Sequence, residues 1–244
     1  MQPLTKPGIV GQTGAPPAAQ GLWNCDDALR QLLQQRLDAY APGLAALPDG
    51  PELRRAAVAL AVTESGLGAD LPGLPTHSNW STAAALILTR RSGSLRSHGG
   101  QWALPGGRVD GDETAEQAAL RELAEEIDLQ LGPDAVLGRL DDYATRSGYL
   151  ITPVVVWAGS AERLQLNPAE VQSIHRIGFG EWLRADSPML EASRHGPHPV
   201  LRMPVGGSWI AAPTAALLYQ FREVCLLDRP TRVAHFDQPD FAWR

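Results

Sequence analysis

From residue 115 to residue 129 the apolar positions follow a helical period, with Leu120, Leu123 and Ile127 turned towards a core. Thr114 and Gln117 form a capping box at the start of this segment. A second helical pattern covers residues 24–41, where Leu29, Leu32, Leu33 and Leu37 follow Asn24 or Asp26 as a cap. Residues 51–66 begin at Pro51 and carry Leu53, Ala57, Leu60 and Ala61 on one side, which predicts a third helix. The Pro- and Gly-rich link 42–51 joins these two N-terminal helices, whose leucines pack either into the core or against a second copy in a homodimer. At Thr82 the pattern changes. Residues 82–89 (TAAALILT) are an apolar run of strand length, and the stretch that follows is turn-rich and basic.

Residues 135–142 predict a strand and turn, and 145–159 alternate and then run apolar, as a central strand does. GFGEWL reads as a short helix packed by Trp182 and Leu183. Residues 199–211 predict a hairpin turning at Gly206-Gly207. Helical spacing returns in 213–225 with Leu217, Leu218, Phe221 and Val224. Strands alternating with helices predict an α/β fold, an α/β/α sandwich around a mixed sheet with an N-terminal helical extension. The corresponding division is an arm (1–22), the extension (23–80), one domain (81–228) and a tail (229–244).

Composition narrows the function classes. Hydrophobic residues make up 44% and charged residues 20% of 244, a soluble globular balance. A net charge of −6 argues against a general nucleic-acid binder. Cys25 and Cys225 give no disulfide framework, so a reducing, cytoplasmic setting is expected. The Pro/Gly/Gln/Ala-rich arm does not read as a secretory signal, and no stretch is long and apolar enough to span a membrane. The aromatic tail, with Phe236, Phe241 and Trp243, docks on this subunit or on a neighbour.

The candidate chemistry lies on the helix after Thr114. Glu122, Glu125 and Glu126 fall in one sector, and Ala115, Ala118 and Ala119 one turn earlier leave room beside them for something bulky. Two carboxylates about 5 Å apart repel by ~3 kcal/mol at an effective dielectric near 20. Such a cluster takes up protons or recruits cations. All-oxygen donors without Cys or His favour Mg²⁺ or Mn²⁺ over Zn²⁺. Upstream, Arg90, Arg91 and Arg96 suit phosphate oxygens, although strand alternation would send only one of Arg90 and Arg91 to a ligand. His98 either donates to a phosphate or fixes the glycine loop around Gly99 and Gly100. Arg146 reads as a strand-entrance arginine or a further phosphate contact. His195 and His198 share a loop with no third ligand nearby, so no zinc site is assigned.

Gly107, Glu113, Arg121-Glu122-Leu123, Glu125-Glu126, Ile127 and Leu129 together resemble the Nudix box, with Asp128 in place of the usual glycine. An aspartate tolerates the left-handed conformation of a helix end, so the departure changes how the helix ends rather than its chemistry. The resemblance implies divalent-metal-dependent hydrolysis of a diphosphate. Glu122, Glu125 and Glu126 would hold the Mg²⁺ or Mn²⁺ ions with the Gly106 carbonyl, and Arg121 would pair with Glu113. The general base is one of these glutamates or one on a later loop, where Glu170 is the nearest candidate and Glu181 competes.

Ile87-Leu88-Thr89, Arg91-Ser92, Arg96, Gly100 and Leu104-Pro105-Gly106-Gly107 further resemble the signature of coenzyme A-directed Nudix hydrolases, with Leu104 where that group has Phe. Ser147-Gly148-Tyr149 and Thr152-Pro153-Val154-Val155 resemble another of its segments, and SWIAAPTAALL follows its Trp-containing strand loosely. This implies a CoA-type substrate, with ADP-ribose or another nucleoside diphosphate derivative as the alternative. A non-catalytic sensor module usually goes with a damaged box, and here every box carboxylate is present.

Overall fold

The computed structural model describes residues 23–43, 53–93 and 100–239. Arg96, His98, Gly99, the arm 1–22, Phe241 and Trp243 lie outside the described residues. In chain order the elements are α1 (Asp27–Ala39), β1 (Arg54–Gly68), β2 (Thr76–Arg91), β3 (Trp102–Ala103), β4 (Gly106–Arg108) and α2 (Ala115–Ile127). They continue with β5 (Val136–Arg139), β6 (Tyr143–Ala144), β7 (Tyr149–Gly159), β8 (Val171–Gly178) and α3 (Phe179–Trp182). The last are β9 (Met189–Glu191), β10 (Val200–Val205), β11 (Ser208–Ala211) and α4 (Thr214–Phe221), which runs on into a π-helical turn, Arg222–Leu226.

The expected helix at 51–66 is a strand. Residues 56–62, AAVALAV, are apolar throughout, so a helical stripe and two strand faces can both be drawn on them. β1 is a central strand, parallel to β7 and antiparallel to β2 and β4, and it is buried on both sides. Such strands read as continuous apolar runs, without the alternation that marks a half-exposed one. Of the helical extension at 23–80, α1 is therefore the helix, and the sheet already begins at Arg54. In α1 it is Asp26 that caps, accepting from the Leu29 N–H at 2.9 Å. Leu29, Leu33 and Leu37 are buried in the chain's own core.

The main sheet separates two cores, which gives the α/β/α arrangement. Ala57, Ala59 and Ala61 of β1, with Ile87, Val154 and Val156, face α2. Leu60 and Val62, with Leu86, Leu88 and Val155, face α1, α4 and the strand β10. Ala115, Ala118 and Ala119 do not leave space for a ligand. They are buried against the alanines of β1, and small side chains on both surfaces let α2 lie close to the sheet. The hairpin β10–β11 is present and gains a third strand, β9. Among the described residues no helix is long and apolar enough to cross a membrane.

Both ends of α2 follow from local sequence. The Gln117 N–H donates to Thr114 Oγ1 at 3.3 Å, and the Thr114 N–H donates to Gln117 Oε1 at 2.8 Å. Asp128 closes the helix at φ 54°, ψ 33°, with its N–H on the Ala124 carbonyl at 3.1 Å. A left-handed L-residue costs about 1–2 kcal/mol, partly offset in glycine by chain entropy. Asp128→Gly is expected to raise the unfolding free energy by up to about 1 kcal/mol, read as a higher denaturation midpoint at unchanged slope. A lower midpoint would show that the aspartate side chain stabilises this end.

The tail to residue 239 docks on its own chain. Tyr143 donates its hydroxyl to the Phe236 carbonyl at 3.0 Å, and Arg146 pairs with Asp237 at 2.7 Å. Arg146 is thus spent on the tail.

Candidate active site

β4 brings Gly106 and Gly107 between β1 and α2, at separations that leave no room for a side chain. A Cβ on Gly106 would lie 2.4 Å from the Ala57 carbonyl oxygen, and one on Gly107 would lie 2.0 Å from Glu122 Oε1. The close approach of backbone to carboxylate is therefore built into the strand. Glu122 and Glu126, one turn apart on α2, point into this junction and are buried.

A third carboxylate arrives from far along the chain. The Asn167 N–H donates to the Glu126 carbonyl at 2.8 Å, and the Ser92 N–H donates to the Glu170 carbonyl at 2.8 Å. The turn before β8 is thereby pinned to the end of α2 and to the end of β2. Glu122, Glu126 and Glu170 each offer an oxygen within 4.8 Å of the others. Among the described residues no other group of three or more Cys, His, Asp or Glu meets that geometry. Glu125 stands apart. Its position on the helix is rotated from Glu126 by about 100°, and its half-exposed side chain is held by Arg121 at 2.9 Å.

Arg121 organises the flank. It grips Glu113 through two N–H groups at 3.0 and 3.1 Å, donates to Glu122 at 3.0 Å, and reaches the Arg108 carbonyl at 2.9 Å. The expected Arg121–Glu113 pair is therefore present within a wider network. Arg121 holds the Glu113 carboxyl below its ordinary range. Burial raises the Glu122 carboxyl despite the same arginine. Glu126 rises furthest, from the usual 4.5 to about 8; burial is the main cause, and the Glu122 charge adds to it against the pull of Arg91. Its Oε2 is buried without a hydrogen-bond partner. An orphaned carboxylate oxygen among three converging acids is a poor resting place for negative charge and a suitable one for a hard dication.

A pH dependence follows. Between pH 4.5 and 8 the folded chain keeps a proton on Glu126 that the unfolded chain has lost. Metal-free stability should then fall as pH rises through that window, by on the order of 5 kcal/mol at full extent. Urea unfolding in EDTA at pH 5, 6.5 and 8 measures it, and a saturating dication should flatten the decline. Stability that rises across this window would contradict the burial of an ionisable Glu126.

The carboxylates open on a cleft of about 1040 Å³ whose walls include the strand ends, the Arg90–Trp102 pair and the β11–α4 corner. Arg90 and Arg91 both line it, against the expected alternation. A bulge in the β2–β8 pairing falls between them and breaks the two-residue period. Arg90 stacks on Trp102 at 4.0 Å and donates to the Gly100 carbonyl at 3.0 Å. Glu181, the competitor of Glu170, is bound to Arg184 at 2.7 Å and accepts the Gly206 N–H at 2.7 Å, a structural role. His198 faces His235, with ring centroids 5.7 Å apart.

Sequence reasoning missed Arg54, Arg108, Trp102 and Trp209 as lining groups, and gave Tyr149 no role. Arg54 was hidden by the helical reading of its segment. The position of Arg108 just after the glycine pair was a usable signal, since a strand there must follow the cleft floor.

The chain belongs to the Nudix family: the NUDIX domain model matches residues 79–202. Its curated relatives include two proteins named "Uncharacterized Nudix hydrolase NudL". The one from Photorhabdus laumondii is 42% identical over 113 residues, which is 46% of this chain and 60% of the relative. The one from Yersinia enterocolitica is 39% identical over 100 residues, 41% of this chain and 51% of the relative. The chain thus spans about half to three-fifths of the length of these relatives. Among solved structures, the MutT protein from Methanosarcina mazei Go1 is similar at 21% identity and a TM-score of 0.40, covering 56% of this chain and 84% of that one.

Proposed function

We propose that this chain hydrolyses the diphosphate linkage of coenzyme A or a CoA derivative, giving (acyl-)4′-phosphopantetheine and adenosine 3′,5′-bisphosphate. The observation that carries the reading is the trio Glu122, Glu126 and Glu170, with its orphaned buried oxygen, opening on an arginine-lined cleft. Glu122, Glu126 and Glu170 would hold Mg²⁺ or Mn²⁺, with the Gly106 carbonyl and Glu125 at the margin. Bound there, such ions neutralise the diphosphate and acidify a water molecule.

The chain's own groups do the remainder. Arg91, beside Glu126, and Arg90, held on Trp102, take phosphate oxygens; Arg96 and His98, from the basic stretch, belong to the same proposed substrate-binding set. Arg121 keeps Glu122 and Glu113 in place, so the acids are positioned before substrate arrives. Water oxygen bonds to one phosphorus, the bridging P–O bond breaks, and the leaving phosphate keeps the electron pair. The proton released goes to a carboxylate of the trio, Glu170 being its most accessible member.

The CoA assignment draws support from the resemblance in 87–107 and 147–155, and from the apolar cleft wall formed by Leu104, Ile210, Ala212 and Leu217. The free thiols of Cys25 and Cys225 fit a reducing, cytoplasmic setting. Hydrolysis of CoA, dephospho-CoA and ADP-ribose with Mg²⁺ or Mn²⁺ tests it. The expected order puts CoA first in kcat/KM by tenfold or more. Preference for ADP-ribose by a similar margin would overturn the substrate assignment.

A further inference from the structure

The cleft has a second cationic end, besides Arg90 and Arg91. Arg54, at the start of β1, lies over the Tyr149 ring at 4.0 Å. Arg108, at the end of β4, donates to the Tyr149 hydroxyl through Nε at 3.4 Å and Nη2 at 3.2 Å. Strand pairing sets this meeting, because Arg54 is in register with Tyr149 and Ala56 with Arg108. Neither arginine has a carboxylate partner among the described residues, whereas Arg121, Arg139, Arg184 and Arg232 do. Two guanidinium groups of like charge gathered on one phenol, in a chain of net charge −6 and with Arg54 otherwise held only by the Ser147 carbonyl at 3.0 Å, invite an anion.

Its placement tells which anion. Along β3 and β4 the chain passes Trp102, then Gly106 beside Glu126, then Gly107 beside Glu122, then Arg108. The acidic trio therefore lies between Arg90–Trp102 and Arg54–Tyr149–Arg108, and all of these groups border one cleft. A diphosphate seated on the trio leaves the Arg54 end for a separate group of the same molecule.

We infer that Arg54, Arg108 and Tyr149 form a second anion site, which takes a phosphomonoester carried by the substrate outside the scissile diphosphate. A dianionic phosphate offers three oxygens to the two planar guanidinium forks and the phenol, geometry that a sugar hydroxyl cannot supply. On the CoA reading this group is the 3′-phosphate, and the inference rests on that reading for this identity only.

Calorimetry in EDTA tests it without catalysis, comparing adenosine 3′,5′-bisphosphate with AMP, which lacks the 3′-phosphate. The wild-type chain should bind the bisphosphate at least tenfold tighter. Arg54→Gln and Arg108→Gln should each bring the ratio to threefold or below, and Tyr149→Phe should give an intermediate ratio, because it releases Arg108 but keeps the ring under Arg54. A wild-type ratio near one, or a full ratio retained in both arginine variants, overturns the site whatever the chain hydrolyses. If the ratio and its loss hold while CoA is not hydrolysed, the anion site stands and the CoA assignment falls.

Discussion

Glu126→Gln should lower metal-dependent diphosphate hydrolysis by about 10³-fold, or about 4 kcal/mol of barrier, while the chain stays folded. The substitution keeps the shape of the side chain and removes one of three converging charges in the trio. In the wild type this carboxyl is buried, with Oε2 unpartnered, so charging it in the absence of a cation opposes folding. The variant should accordingly unfold at a higher urea midpoint than wild type at pH 8.5 in EDTA, and at a similar midpoint at pH 4.5. Stability and activity then move in opposite directions, as expected where a functional group is held against its own solvation preference. Turnover within threefold of wild type would place the metal site elsewhere.

Alanine at each member of the glycine pair should separate fold from function. In Gly106→Ala the new methyl meets the Ala57 carbonyl oxygen at 2.4 Å and the Val58 Cα at 2.7 Å, both backbone atoms of the central strand. No flexible group can yield, so β4 must leave β1, at a cost of about 3 kcal/mol or more. In Gly107→Ala the methyl meets the far end of Glu122, at 2.0 Å from Oε1 and 2.6 Å from Cδ. That side chain can swing aside, which limits the stability loss to about 1–2 kcal/mol. The displaced Glu122 also leaves Arg121, and under the proposed mechanism a shift of about 1 Å at this carboxylate costs on the order of 10²-fold in rate. Denaturation midpoints and turnover measured on both variants check the contrast. A fully active Gly107→Ala would show that Glu122 is not needed where the structure puts it.

What could be read in advance depended on the sequence distance over which each feature is decided. The limits of α2, its Thr114–Gln117 capping box, the left-handed Asp128 and the Arg121–Glu113 pair each come from groups within about two helical turns or one short loop. Interactions of that range are written into consecutive residues, and the pattern alone locates them. The hairpin at Gly206-Gly207 was legible for the same reason.

Other features existed only once distant segments met. The run Ala56–Val62 satisfies helix and strand equally, and its pairing with β7 and β2 decided for the strand. The surface that buried Ala115, Ala118 and Ala119 was itself made by that pairing. Glu170 joined Glu122 and Glu126 through backbone bonds from Asn167 and Ser92, and Arg54 met Tyr149 and Arg108 across three strands. The chain's local chemistry thus determined a capped helix crowded with acids. Which of those acids are buried, which remote carboxylate joins them and which arginines face them were settled by the sheet, because strand register sets neighbours that no local period encodes.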